Sequence, residues 1–288
     1  MEFSNIEESN GVITEEKENE NEINEIEQSK VRLMRAFVER EDPSVKEVDD
    51  FMIRRFLRAR ELDIEKASTL FQKYLSWRRS FIPNGFIAPS EIPNELAQNK
   101  FFMQGADKQN RPVVVVFGAK HKPYKGSFEE FKRFVVYTLE RICAIMPAGE
   151  EKFVSIADLQ GWGYSNSDIR GYLAALSILQ DCYPERLGKL FIVHVPYIFM
   201  TAWKVVSPFI DRKTKNKNFG FTLQAMYVGW QSLSVYCLPE SISFPLNFLQ
   251  IIFVENKKLK STLLEDIDES QLPDVYGGKL SLVPIQDD

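Results

Sequence analysis

The chain has 288 residues, 44% of them hydrophobic, a formal net charge of −5 and three cysteines, Cys143, Cys182 and Cys237. That length supports one sizeable core plus a small helical appendage. The scattered cysteines, with no CxxC spacing, argue against a zinc module or a disulfide framework and suit a reducing compartment. The charge is uneven, because residues 1–30 hold ten acids and two lysines and leave the remainder at +3. With no apolar h-region and no Gly at position 2, neither a secretory signal nor a myristoyl site is expected. Residues 1–29 are rich in Glu and Asn and poor in aromatics, so they read as a disordered acidic tail.

Residues 30–80 carry helical periodicity and read as a small bundle. Ser44-Val45-Lys46-Glu47 fits a capping box, and Phe51, Phe56 and Leu57 place apolar groups on one side of the helix that follows. Asp63 can cap the next helix, where Ala67, Leu70, Phe71, Tyr74 and Leu75 recur at i, i+3, i+4 spacing. Arg54, Arg55 and Arg58 read as a solvated helix face. Residues 81–99, with prolines at 83, 89 and 93, read as a connector.

A larger domain is expected over 100–288. Phe101 to Gln104 and Val113 to Phe117, joined by Asp107-Lys108-Gln109-Asn110, predict a hairpin. Ser127-Phe128-Glu129-Glu130 fits a second capping box, opening a helix to about Met146. Strands follow at Phe153–Asp158, Leu190–Val195 and Ile251–Val254, with helices at Ser167–Cys182 and Leu259–Leu264, and a turn at Pro273–Gly278. Strands alternating with helices predict right-handed crossovers and a mostly parallel sheet, an α/β class.

The segment from Tyr183 to Lys217 organises the rest. Tyr183-Pro184-Glu185-Arg186-Leu187-Gly188 is a turn, and a buried strand follows it. Pro196 opens an apolar helical segment, Tyr197 to Val206, which ends at Ser207-Pro208; a charged exit, Asp211 to Lys217, comes after. A polar pair before the strand and an all-apolar helix with a basic tail after it suit a protein that holds an amphiphile.

Four motifs occur in order: Arg55-Phe56-Leu57-Arg58-Ala59-Arg60, Val154 to Gly161 (VSIADLQG), Tyr183 to Pro196 (YPERLGKLFIVHVP) and Leu272 to Gly278 (LPDVYGG). With them, roughly Asp49 to Gly278 resembles the CRAL-TRIO lipid-transfer family, of the yeast phosphatidylinositol/phosphatidylcholine transfer protein type. The resemblance implies an N-terminal helical bundle before a mostly parallel sheet flanked by helices, with an apolar lipid pocket. It implies a non-enzymatic protein without cofactor or metal that exchanges phosphatidylinositol with a second lipid. It would work in the cytoplasm and transiently at membrane surfaces as a peripheral protein, and a lipid kinase is a further partner in keeping with the family.

The resemblance also implies roles for residues. Arg60 would contact a headgroup phosphate, which suits a forked, permanently charged guanidinium. Glu185 and Arg186 would belong to the polar lining or the gate hinge; on sequence alone they equally read as a surface ion-pair arrangement. Asp211, Thr214 and Lys217 stand at the family's DPxTxxK-like site, with Arg212 in place of its proline, and would contact inositol and phosphate. Phe199, Trp203, Val206, Phe209 and Ile210 read either as core or as an apolar, membrane-facing gate. Burial of acyl chains at roughly 0.8 kcal/mol per CH₂ makes release into water slow, so a movable lid at a bilayer has a purpose.

Other chemistries find little support. No GxSxG, HExxH or Walker loop is present, so no catalytic residue is assigned. Gly161-Trp162-Gly163 lacks the third glycine of a dinucleotide loop, since Asn166 stands there. His194, inside its strand, reads as a satisfied core or pocket-lining histidine. The basic run 212–217 lacks aromatic interleaving, which argues against nucleic acid. A lipid-sensing adaptor or small-GTPase regulator without transfer activity is the alternative function.

One segment departs from the family. Residues 218–250 form an atypical insert of 33 residues with a single charge, Glu240. Its Phe-, Ser-, Leu- and Pro-rich end suits pyrimidine-rich codons, so it reads as intronic sequence admitted by a cryptic splice acceptor. The rival reading is a membrane anchor over 218–239, which its polar residues weaken.

Overall fold

The computed structural model describes residues 24–124, 126–209 and 249–286, without the side chains of Gln104 and Phe209. The chain divides into two compact units, with the boundary between Ser76 and Trp77, inside a helix.

The first unit holds α1 (24–41), α2 (Asp50–Arg58) and the start of α3 (Ile64–Phe81). Helix α1 starts inside the stretch expected as a disordered tail, residues 1–29. The reason is Glu27, which is buried and takes Arg58 in a forked pair at 2.6 and 2.7 Å, with Arg54 at 3.7 Å. Its carboxylate gives the first turns a partner that composition does not reveal. Arg54 and Arg58 are therefore tied down rather than solvated, and Arg55 is buried.

Inside this unit Phe56 meets Phe71 edge-on at 5.0 Å and Tyr74 at 5.3 Å, over Ile53, Leu57 and Ala67. Phe51 does not join them. It faces outward beneath the Arg54 guanidinium, 5.4 Å from its ring centre. The expected capping box at Ser44 is replaced by a 3₁₀ turn, Pro43–Glu47, capped by Asp42, which accepts from both Ser44 N and Oγ. Asp49 caps α2 through Met52 N, and Asp63 caps α3 through Lys66 N.

The second unit is built on a five-stranded sheet in the order β1-β2-β3-β4-β5. The strands are β1 (Phe101–Ala106), β2 (Pro112–Phe117), β3 (Phe153–Asp158), β4 (Leu187–Val193) and β5 (Gln250–Phe253). The β1–β2 hairpin is antiparallel and every later pairing is parallel. Asp107 shapes the hairpin turn by accepting from Gln109 N, Arg111 N and Arg111 Nε. The helices are α4 (Pro93–Ala97), α5 (Ser127–Ile145), α6 (Ile169–Asp181), α7 (Phe199–Val206) and α8 (Leu259–Asp266). No helix among the described residues is long and apolar enough to cross a membrane.

The first helical residue of α5 is Ser127, after Gly126 in a left-handed conformation, so Ser127 is not the cap. Its hydroxyl accepts from Tyr124 N instead. Strand β4 ends two residues sooner than its apolar run, because His194 turns out of the sheet with φ +52°. The Pro273–Gly278 turn holds a 3₁₀ segment, Asp274–Tyr276. At Gly278 a Cβ would stand 2.0 Å from Leu272 O, so only glycine lets the chain pass there.

Alternation along the strands gives the sheet two different faces. Val113, Val115, Val154, Ile156, Phe191 and Val193 point to one side and pack against Leu263, Ile267, Leu272 and Tyr276. Val114, Val116, Ser155, Ala157, Leu190 and Ile192 point to the other, toward α5, α6 and α7. The first side is solid and the second is not.

Candidate functional site

On that second side lies a cavity of about 360 Å³. Its floor is the sheet, one wall is α5, a second is α6, and α7 covers it through Phe199, Ala202, Trp203 and Val206. The void follows from residue size. Ser155 and Ala157 on β3 stand beneath Ala175 on α6 and Ala202 on α7, so small groups meet where large ones would interdigitate. Ala157 is only half-buried although it lies on the central strand, because open space stands above it. Helix α7 is held by aromatic contacts: Trp162 meets Phe199 edge-on at 5.4 Å, and Trp203 meets Phe253 at 5.1 Å.

Of the expected gate residues, Phe199, Trp203 and Val206 therefore face the cavity rather than solvent. Phe209 closes the 3₁₀ turn Ser207–Phe209 that follows α7. Ile210, Asp211, Thr214 and Lys217 lie outside the described residues, as does the insert apart from Leu249 and Gln250. Leu249 is buried beside α7, and Gln250 opens β5 opposite Lys189.

Glu185 and Arg186 sit at the N-terminal ends of β3 and β4. Glu185 is buried in a left-handed turn, φ +61°, with its Oε2 3.6 Å from Lys152 Nζ. Arg186 donates to Glu151 O at 3.1 Å and to Met146 Sδ at 3.3 Å. Neither is among the described residues that line the cavity. Nearby, Glu140 receives both guanidinium nitrogens of Arg78 and the Tyr183 hydroxyl. Burial pushes its pKa up, but these donors outweigh burial and hold it below the usual carboxylate value. Arg60 belongs to the first unit, where it is half-buried and donates to Ala59 O at 2.9 Å.

A polar corner of the cavity has no counterpart in the sequence reading. Lys100, just before β1, and His121, after β2, both line the cavity. Lys100 Nζ donates to Glu95 Oε2, to Gln98 Oε1 at 3.0 Å and to His121 Nδ1 at 2.8 Å. The rings of Phe131 and Phe134 stand 5.3 and 4.9 Å from the ammonium. Because Nδ1 accepts, His121 carries its proton on Nε2 and donates to Asp168 Oδ2 at 3.3 Å; Asp168 also caps α6 through Gly171 N. Burial and the neighbouring ammonium push His121 down to about 4, against the pull of Asp168. Burial likewise lowers Lys100 and raises Glu95, each partly countered by the other's charge.

His194 is satisfied, as expected, by Asp158 at 3.0 Å, but it stands just past the end of β4 and does not line the cavity. The other polar groups of the wall are mostly satisfied: Tyr172 accepts from Trp162 Nε1 and donates to Asn166 O, and Thr138 donates to Val135 O.

The sheet thus has one packed face and one hollow face, the hollow one covered by the short apolar helix after β4. Residues 96–225 match the CRAL/TRIO domain. A CRAL-TRIO domain-containing protein of Schizosaccharomyces pombe is 31% identical over 166 residues, covering 57% of this chain and 16% of that protein. The phosphatidylinositol/phosphatidylcholine transfer protein SFH4 of Arabidopsis thaliana is 27% identical over 250 residues, covering 80% of this chain and 36% of that protein. The chain thus spans well under half the length of both relatives. A solved structure titled "Crystal structure of Sfh5" shares the fold, with a TM-score of 0.55 at 15% identity, over 83% of this chain and 84% of that one.

Proposed function

We propose that this chain is a non-enzymatic lipid carrier that takes up one lipid at a membrane surface, shields its tail beneath α7 and releases it at another. The observation that carries this reading is the apolar cavity of about 360 Å³ beneath a helix whose inner face is wholly apolar. Its size falls among cavities that engulf small ligands. The name of the Arabidopsis relative, a phosphatidylinositol/phosphatidylcholine transfer protein, supports phosphatidylinositol as one cargo, exchanged with a second lipid. In this reading Asp211, Thr214 and Lys217, with Glu185 and Arg186, are the headgroup-binding residues of the second unit. Phe199, Trp203, Val206, Phe209 and Ile210 form the gate. The setting is the cytoplasmic face of a membrane, and a lipid kinase is the receiving partner.

The test is transfer of labelled phosphatidylinositol between vesicles. The double variant Thr214→Ala/Lys217→Ala is expected to lose inositol-lipid transfer while a second lipid still moves. Equal loss of both would remove the headgroup assignment, and lipid binding without transfer would favour an adaptor.

A further inference from the structure

We propose that the loops after β2 and β3, with the outer side of α7, form a docking surface for an anionic lipid bilayer, anchored by Tyr164 and Tyr197 and steered by Lys120 and Lys122. This rests on the reading above in taking the partner to be a membrane. It names the face of the domain that meets the membrane and the lipid charge that draws it there.

The fold gathers these residues. Strands β2, β3 and β4 are parallel, so the segments that follow them leave from one end of the sheet. Those segments are fastened together. Asn166, buried in the loop after β3, donates through Nδ2 to Ala119 O and to His121 O, both at 2.8 Å, in the loop after β2. Trp162, in the same loop as Asn166, meets Phe199 of α7 edge-on. Because Phe199, Trp203 and Val206 turn into the cavity, the outer side of α7 is left to Thr201, Lys204 and Val205, with Tyr197 just before the helix.

Exposure and charge together select the partner. Tyr164 is 82% exposed and Tyr197 77%, more than any other exposed large hydrophobic side chain among the described residues. The Tyr124 hydroxyl is spent on Glu130, but those of Tyr164 and Tyr197 have no partner among the described residues. A bilayer interface suits such a ring, since it meets acyl chains with its body while its hydroxyl stays hydrated. Residues 118–124, 159–167 and 194–206 contain three lysines and no Asp or Glu. Asp158 and Asp168, the acids that flank the middle loop, are tied to His194 and His121. Lys120 and Lys122 are exposed, and neither meets a carboxylate among the described residues. Lys120 instead lies over the rings of Phe102 and Phe117, 5.0 and 5.1 Å away. The cores of protein–protein interfaces favour arginine and are poor in lysine, whereas lysines beside tyrosines fit a layer of anionic headgroups.

The experiment sediments the full chain with vesicles of phosphatidylcholine alone or mixed with phosphatidylserine. Wild type should prefer the mixed vesicles, and added salt should erode that preference. At about fivefold per lysine, Lys120→Ala/Lys122→Ala should weaken binding to the mixed vesicles about twenty-five-fold and leave binding to phosphatidylcholine nearly unchanged. Tyr164→Ser/Tyr197→Ser should weaken binding to both vesicles by about tenfold or more. All four side chains are exposed, so both variants should keep the wild-type melting temperature and still load phosphatidylinositol from a detergent dispersion. Equal binding of wild type to the two vesicles, or variants that bind as wild type does, would overturn the proposal. Wild type that binds neither vesicle but loads lipid from detergent defeats the docking surface alone; failure to load lipid from either source defeats the carrier reading.

Discussion

His194 Nδ1 lies 3.0 Å from Asp158 Oδ1, and that contact holds the residue at which β4 leaves the sheet for α7. The opposite oxygen of Asp158 accepts from the Tyr276 hydroxyl at 3.0 Å, so the carboxylate is fixed from both sides. His194 has φ +52°, a conformation that asparagine tolerates and β-branched residues resist. His194→Asn is expected to change stability by under about 1 kcal/mol, and His194→Val to cost about 1–3 kcal/mol. Urea unfolding midpoints check both, and equal midpoints for the two variants would count against a left-handed constraint at this position.

Filling the void should separate cargo from stability. Ala157→Phe places a ring in open space above the central strand. Lipid uptake from vesicles should fall by about tenfold or more, while the melting temperature holds or rises. Loss of folding with no gain in packing would mean that the space is smaller than described.

His121 predicts an acid-sensitive limb. Its pKa is 6.5 unfolded and about 4 folded, so the unfolded chain binds the proton first as pH falls. Stability is fully present above 6.5 and declines as pH drops toward 4. Between about pH 8 and pH 5 the loss from this group is about 2 kcal/mol. Urea titrations at both pH values should show it, and His121→Gln should flatten that part of the curve.

A second limb lies lower. Arg78 and Tyr183 hold Glu140 below its ordinary value of 4.5. The stability it contributes is present above that value and is lost as pH falls through the folded pKa. Glu140→Gln should therefore lower stability at neutral pH while making the curve below 4.5 shallower. A curve parallel to wild type would show that the cluster does not couple to folding.

These elements differ in how far the chain announced them. Strand β3 and helix α5 were legible because their periods are strong and local, and the two-glycine turn at 277–278 because only glycine fits there. The end of β4 was not, since nothing in Val193-His194-Val195 signals a left-handed residue; the cause is Asp158, far away in sequence. The apolar face of α7 was readable, but which way each side chain points depends on the small residues beneath it. The polar corner was invisible for the same reason. Glu95 and Lys100 flank the end of a proline-rich connector, and His121 finds Asp168 only after the chain has folded.

Because β3 presents solid packing and empty space at alternate positions, neighbouring residues on one strand answer to different constraints. Shrinking Ile156 to Ala should cost about 2–5 kcal/mol in folding. Enlarging Ala157 next to it alters what can be carried. The interior is thus a built-in sorting ledger: even positions such as Val154 and Ile156 guard the architecture, and odd ones such as Ser155 and Ala157 can drift toward new cargo without endangering it.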